Sequence, residues 1–134
     1  MERWLGRLSE LIYAALRIVA GAAFACHGAQ KLFGVLGGQQ MTGNPLMLAA
    51  GIIEFFGGLM IALGVFAGWA AFLASGQMAY AYFTAHAPRG HWPIQNGGEL
   101  ALLYCFIFLY LASRGSGSIS LERALGGRGG KRRR

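Results

Sequence analysis

The chain has 134 residues, of which 55% are hydrophobic and only 13% charged, and its mean hydropathy is +0.46. Soluble domains carry about 25% charged residues, so this balance excludes an ordinary soluble fold and indicates one integral membrane domain. The net charge of +7 does not make nucleic acid a partner, because six of the twelve basic residues are gathered between Arg123 and Arg134; a terminal cluster of that kind suits anionic lipid headgroups and cytoplasmic retention.

The apolar runs are continuous rather than alternating, which predicts helices and not a transmembrane barrel. Residues 1–9 read as a short interfacial lead with Trp4 at the headgroups. The apolar segment after Arg3 and Arg7 starts like a signal peptide, but its length and Arg17 predict a retained anchor. A first helix is expected from Glu10 to Phe33. It carries Arg17, His27, Gln30 and Lys31, although a cation at mid-membrane on a lone helix costs roughly 2.5–3.5 kcal/mol. These groups are therefore expected to face other helices. Arg17, Gly21, Phe24, Gly28 and Lys31 fall on one stripe at helical spacing, and its glycines would let a second helix come close.

The loop G-V-L-G-G-Q-Q-M-T-G-N-P follows, and Asn44-Pro45 marks its end. A second helix is expected over Leu46–Phe66, with Gly51, Glu54 and Gly58 on one face. Glu54 is expected to answer a first-helix cation across that glycine-lined contact. A tight turn at Ala67-Gly68 predicts an antiparallel hairpin with a third helix, Trp69–His86, which holds Gln77 midway. The loop A-P-R-G-H-W-P-I-Q-N-G-G is expected to be ordered but non-helical, with His91 and Trp92 as interface anchors. A fourth helix, Gly98–Ser113, opens with Glu99. After the G-S-G-S break, Ser120 is expected to cap a surface helix at Leu121–Leu125, with Arg123 and Arg128 on headgroups and the rest of residues 115–134 a disordered basic tail.

Basic residues at both ends, and only Arg89 in the two long loops, predict four crossings with both termini cytoplasmic. The expected fold is thus an all-α four-helix membrane bundle of up-down topology over residues 10–114. At a rise of ~1.5 Å per residue, Glu54 lies about 12 Å inside the second helix. His27, Gln30, Lys31, Glu54, His86 and Glu99 then converge on the outer half, with Arg17 and Gln77 deeper. Two cations and two carboxylates would neutralise each other there.

Two readings of this cluster stay open. It fixes helix order and register, or it binds a small polar or quinone-like ligand and relays protons. A haem or chlorophyll on His27 lacks a second matching histidine. Cys26 and Cys105 form no C-x-x-C pair, so metal and redox-motif readings are weak and buried inert thiols are expected. Tyr80, Tyr82, Phe106 and Tyr110 are read as packing or lipid-facing residues.

Over about residues 11–122 the chain resembles the DoxX family of small four-helix membrane proteins. The resemblance is carried by R-I-V-A-G-A-A-F-A-C-H-G-A-Q-K-L-F-G, G-I-I-E-F-F-G-G-L-M-I-A-L-G-V-F, the N-G-G-E turn and G-S-G-S-I-S-L-E. It implies a bacterial-type inner-membrane protein with links to thiosulfate:quinone oxidoreductase subunits or oxidative-stress partners. The chain has no soluble domain and no cysteine pair for sulfur chemistry, which argues against catalysis on its own. Two functions follow: a redox-associated subunit whose outer cluster binds a quinone or small anion, with other membrane subunits as partners, or a structural subunit of a larger respiratory or photosynthetic complex. A transporter and a disulfide-forming quinone reductase fit less well.

Overall fold

The computed structural model describes residues 1–126. The expectations for Arg128, Lys131 and the end of the basic tail therefore lie outside the described residues. Within them the chain is all helical, with no strand.

A short lead helix, Glu2–Gly6, precedes α1 (Ser9–Phe33). Gly34 ends α1 in the left-handed conformation at φ 65°, its N–H returning to the Gln30 carbonyl, which is the geometry glycine makes cheap. In the following loop, the Met41 N–H and the Gln40 amide close onto the last carbonyls of α1 at 2.8 and 2.9 Å. Asn44 then accepts from the Leu46 and Met47 N–H groups ahead of Pro45, so the N-P pair is a helix start as well as a loop end.

The next helix, α2 (Pro45–Leu63), is interrupted by a π-helical turn at Ile53–Gly57 that contains Glu54. It stops at Leu63, three residues before the expected Phe66. The reversal is made by Gly64, Val65 and Phe66, with φ of 74° at Gly64 and 47° at Phe66, rather than by Ala67-Gly68. Helix α3 (Ala67–Ala81) continues into a second π-helical stretch at Tyr82–His86. The next loop is not free of helix as expected: a 3-10 turn at Ala87–Arg89 and a single α turn at Pro93–Asn96 lie within it. Helix α4 (Glu99–Arg114) follows. Ser120 caps the last helix, Leu121–Gly126, as expected.

α1 and α2 are long and apolar enough to cross a membrane. The 16 residues of α4 rise about 24 Å, short of a ~30 Å hydrocarbon core. Each long helix runs antiparallel to those it touches. Along α1 and α2, Gly21 meets Gly58, Gly28 meets Phe55, and Lys31 meets Gly51. Along α3 and α4, Gly68 lies by Ala112, Ser75 bonds Cys105, and Tyr82 lies by Gly98.

The core is small residues around a few rings. Ala70, Ala71, Ala74 and Ala101 pack with Tyr13, Phe24, Ile61, Tyr104, Phe108 and Leu111. The outer surface is the apolar one: Trp69, Phe72, Phe83, Leu103 and Phe106 are all more than half exposed. An apolar exterior around an alanine-rich interior is the pattern expected of helices that meet lipid.

Candidate functional site

Close approach of α1 and α2 builds the site. A Cβ on Gly28 would stand 2.2 Å from the Phe55 nitrogen, and one on Gly21 would stand 2.6 Å from the Gly58 carbonyl. Only glycine permits this backbone-to-backbone crossing. One turn beyond Gly28, Lys31 reaches across, and its Nζ lies 2.6 Å from both Glu54 carboxylate oxygens. From α3, the Gln77 amide donates to Glu54 Oε1 at 2.7 Å. Glu54 is 2% exposed and the Lys31 side chain 25%. The carboxylate is thus the buried centre and the ammonium the more accessible partner. Facing an ionised carboxylate, Gln77 must turn its donor inward, and its own Oε1 is left buried without a hydrogen-bond partner among the described residues.

These three side chains form part of the wall of a cavity of about 670 Å³ between the four long helices. His27, His86 and Tyr104 line it too, with apolar groups making most of the remainder. His27 stands edge-on to Tyr104, ring centres 6.2 Å apart, and Tyr104 stacks on Phe108. His86 turns Nδ1 towards the Asn96 carbonyl at 3.3 Å. Asn96 in turn accepts from the Gly98 N–H at 2.8 Å, and a Cβ on Gly98 would collide with Asn96, Tyr82 and His86. The N-G-G-E turn is therefore a tight latch that holds His86 beside the cavity.

Five of the eight residues expected in one cluster meet here: Lys31, Glu54 and Gln77 in direct contact, and His27 and His86 on the same cavity. The other three do not. Gln30 bonds the Leu36 carbonyl and packs under Gly38 in the loop after α1. Glu99 is exposed at the amino end of α4 among Trp92, Ile94 and Leu103. It is not the partner of Lys31, and the helix dipole favours it where it stands.

Arg17 is 2% exposed yet sits at the opposite end. Its guanidinium donates to the carbonyls of Ile61, Ser116 and Ile119. The Ile61 carbonyl belongs to the last turn of α2, where the dipole favours a cation. The expected balance of two cations against two carboxylates is replaced by one ion pair at the cavity and one carbonyl-caged arginine. Nearby, Glu10 pairs with Arg114 and accepts from Ser118, tying the segment after α4 to the start of α1.

The cysteines divide. Cys26 faces outward and is exposed, contrary to the expectation of burial, because it lies off the stripe that packs on α2. Cys105 is half-buried beside the Ser75 hydroxyl, and both thiols are free. Tyr104 is a lining residue that the sequence reading passed over. The spacing of Ala101, Tyr104, Phe108 and Leu111, all buried, marks it as the inner face of α4. The π turn at Glu54 has no such signature.

The DoxX family model matches residues 12–87, which hold all but the first three residues of α1, the whole of α2, the ion pair and Gln77. The chain belongs to the DoxX family. It is also 45% identical over 116 residues to a Haemophilus influenzae protein described as uncharacterized, covering 81% of this chain and 87% of that one. No solved structure matches it. The H-G-A-Q-K-L-F-G stretch of this chain has a physical reading: Gly28 makes the helix crossing, Gln30 pins the loop, Lys31 carries the charge and Gly34 ends the helix.

Proposed function

We propose that this DoxX protein is a bacterial inner-membrane subunit whose cavity holds the head of a quinone-like amphiphile against Lys31, Glu54 and Gln77. The four long helices cross the bilayer in up-down order with both termini cytoplasmic, so the cavity lies in the outer half. The positive-inside rule supports that orientation, since Arg3, Arg7, Arg114 and Arg123 belong to one side and Arg89 alone to the other. The shorter α4 is accommodated by local thinning and by Trp92 at the interface.

The observation that carries the reading is a buried ionic group set in an apolar cavity. Its volume lies in the ~300–1,000 Å³ range of small-molecule sites, and its lining is mostly apolar with a few convergent polar groups. Lys31 has two of its three N–H donors on Glu54, and the third remains to meet a ligand oxygen. Glu54 holds Lys31 and Gln77 in place and can accept a proton from a head that releases one. His27 and His86 stand on the same cavity as proton carriers. The protein acts with partner subunits that supply the electron-transfer centre, in keeping with the family's ties to quinone-linked oxidoreductases.

The test is the affinity of a short-chain ubiquinone analogue for the full-length protein in lipid nanodiscs, repeated with Lys31→Met and Glu54→Gln variants whose helicity is intact. A fall of about tenfold in either, equal to ~1.4 kcal/mol, is expected. Wild-type affinity in both would refute the assignment.

A further inference from the structure

We propose that the amino end of α4 carries a lipid site separate from the cavity. A cleft between Trp92 and Glu99 seats the primary ammonium of a phospholipid headgroup, and the acyl chain lies down the exposed face of α4. The site rests on the bilayer crossing proposed above, but not on the occupant of the cavity.

The loop before α4 builds the cleft. The Trp92 carbonyl accepts from the N–H groups of Gln95 and Asn96, at 2.9 Å each, which closes the turn at Pro93–Asn96. Buried Asn96 donates to the Gly90 carbonyl and accepts from the Gly98 N–H. Gly97, at φ 72°, then leads the chain into α4. Trp92, Pro93 and Ile94 are thereby set against the first turn of α4, and with Glu99, Leu102 and Leu103 they line a cleft of about 430 Å³. The cavity lies on the other side of that turn, against Gly97, Leu100 and Ala101. The two share no lining residue.

The ligand class follows from the groups on its rim. Ion pairs among the described residues join Lys31 to Glu54 and Arg114 to Glu10, so none of the cations described there, Arg89 of the preceding loop included, pairs with Glu99. A carboxylate beside an indole over an apolar floor suits an ammonium: the carboxylate accepts its N–H groups and the ring faces its charge. The same carboxylate repels an anionic headgroup. The amphipathic ring of Trp92, 65% exposed, settles at headgroup level, which puts Glu99 where a lipid ammonium stands. A lipid fits better than a free amine because the cleft continues as an apolar track. Leu103, Phe106 and Tyr110 follow Glu99 at helical spacing and are all exposed. The rise from Glu99 to Tyr110 is about 16 Å, close to one leaflet's half of a ~30 Å hydrocarbon core.

The test is native mass spectrometry of the full-length protein released from micelles, with phosphatidylethanolamine, phosphatidylcholine and phosphatidylglycerol of equal chains titrated singly. A carboxylate contact and a ring contact are each worth about two- to fivefold at an exposed site. Phosphatidylethanolamine is therefore expected to bind about tenfold tighter than phosphatidylglycerol. Phosphatidylcholine is expected to fall between them, since it keeps the charge but has no N–H to give. Glu99→Gln and Trp92→Leu are each expected to cut the preference to about threefold or less, with helicity unchanged, and Lys31→Met to leave it intact. Equal binding of phosphatidylethanolamine and phosphatidylglycerol, or a full preference in Glu99→Gln, overturns the site. Phosphatidylcholine bound as tightly as phosphatidylethanolamine overturns the primary ammonium. A preference lost in folded Lys31→Met puts the lipid in the cavity and overturns the cleft. No lipid preference, together with a dimer that Glu99→Gln splits, makes the cleft a contact between two copies instead. A protein that shows the preference yet binds no ubiquinone analogue keeps this site and loses the cavity reading.

Discussion

The two halves of the ion pair are not equivalent, and that asymmetry yields a quantitative prediction. Lys31→Met removes the cation and leaves Glu54, 2% exposed, with the Gln77 amide as its hydrogen-bond donor. An uncompensated buried charge of this kind costs roughly 3–5 kcal/mol. Glu54→Gln leaves Lys31, whose side chain is 25% exposed and which stands in the last turn of α1. Its stem can swing the ammonium towards the interface, so the expected cost is about 1–2 kcal/mol, comparable to a lost charged hydrogen bond. The double variant removes both charges and is expected to be more stable than Lys31→Met alone, with a coupling of about 2 kcal/mol or more. Equilibrium unfolding in mixed micelles, followed by far-ultraviolet circular dichroism, measures all three. Equal single costs that simply add in the double variant would show that the two groups do not share a buried contact.

Other consequences are local. Gly28→Val places two methyls where the Phe55 backbone already stands, so it is expected to separate α1 from α2 and cost more than Lys31→Met; a stability within about 0.5 kcal/mol of wild type, the range of harmless surface changes, would contradict the crossing. Arg17→Met leaves the Ser116 and Ile119 carbonyls without their donor and is expected to make the 115–120 segment cleavable by protease at the tail end, leaving ligand affinity at the distant cavity unchanged. A membrane-permeant maleimide is expected to label exposed Cys26 well before Cys105, which sits half-buried by Ser75; equal rates would place α4 wrongly.

The sequence made the helix crossing legible because glycine and charge report on it from both sides. Gly21, Gly28 and Lys31 on α1 and Gly51, Glu54 and Gly58 on α2 share faces at helical spacing, and a lone carboxylate in hydrocarbon needs a cation. The depth of Arg17 was legible but its partners were not, because a guanidinium is satisfied by carbonyls as well as by a carboxylate. Glu99 failed for a related reason: being at the same depth as Lys31 does not put it on the same face. The two π-helical stretches were invisible, since no residue pattern specifies them, although one holds Glu54 and the other ends at His86. The reversal at Gly64 was displaced from the expected Ala67-Gly68 because small residues recur throughout these helices, so glycine alone marks a turn poorly here.

Lys31, Glu54 and Gln77 are proposed to serve a ligand site rather than a structural clasp. Photo-crosslinking tests this proposal most directly, using full-length protein in native-like lipid and an alkylquinone carrying a small photoreactive group on its ring, with the adducts mapped by mass spectrometry. Adducts are expected to concentrate on cavity residues such as Ile53, Gln77 and Tyr104 and to be lost on competition with unlabelled quinone. Adducts spread over the lipid-facing surface, at Trp69, Phe83 and Phe106, and unaffected by competitor would contradict it.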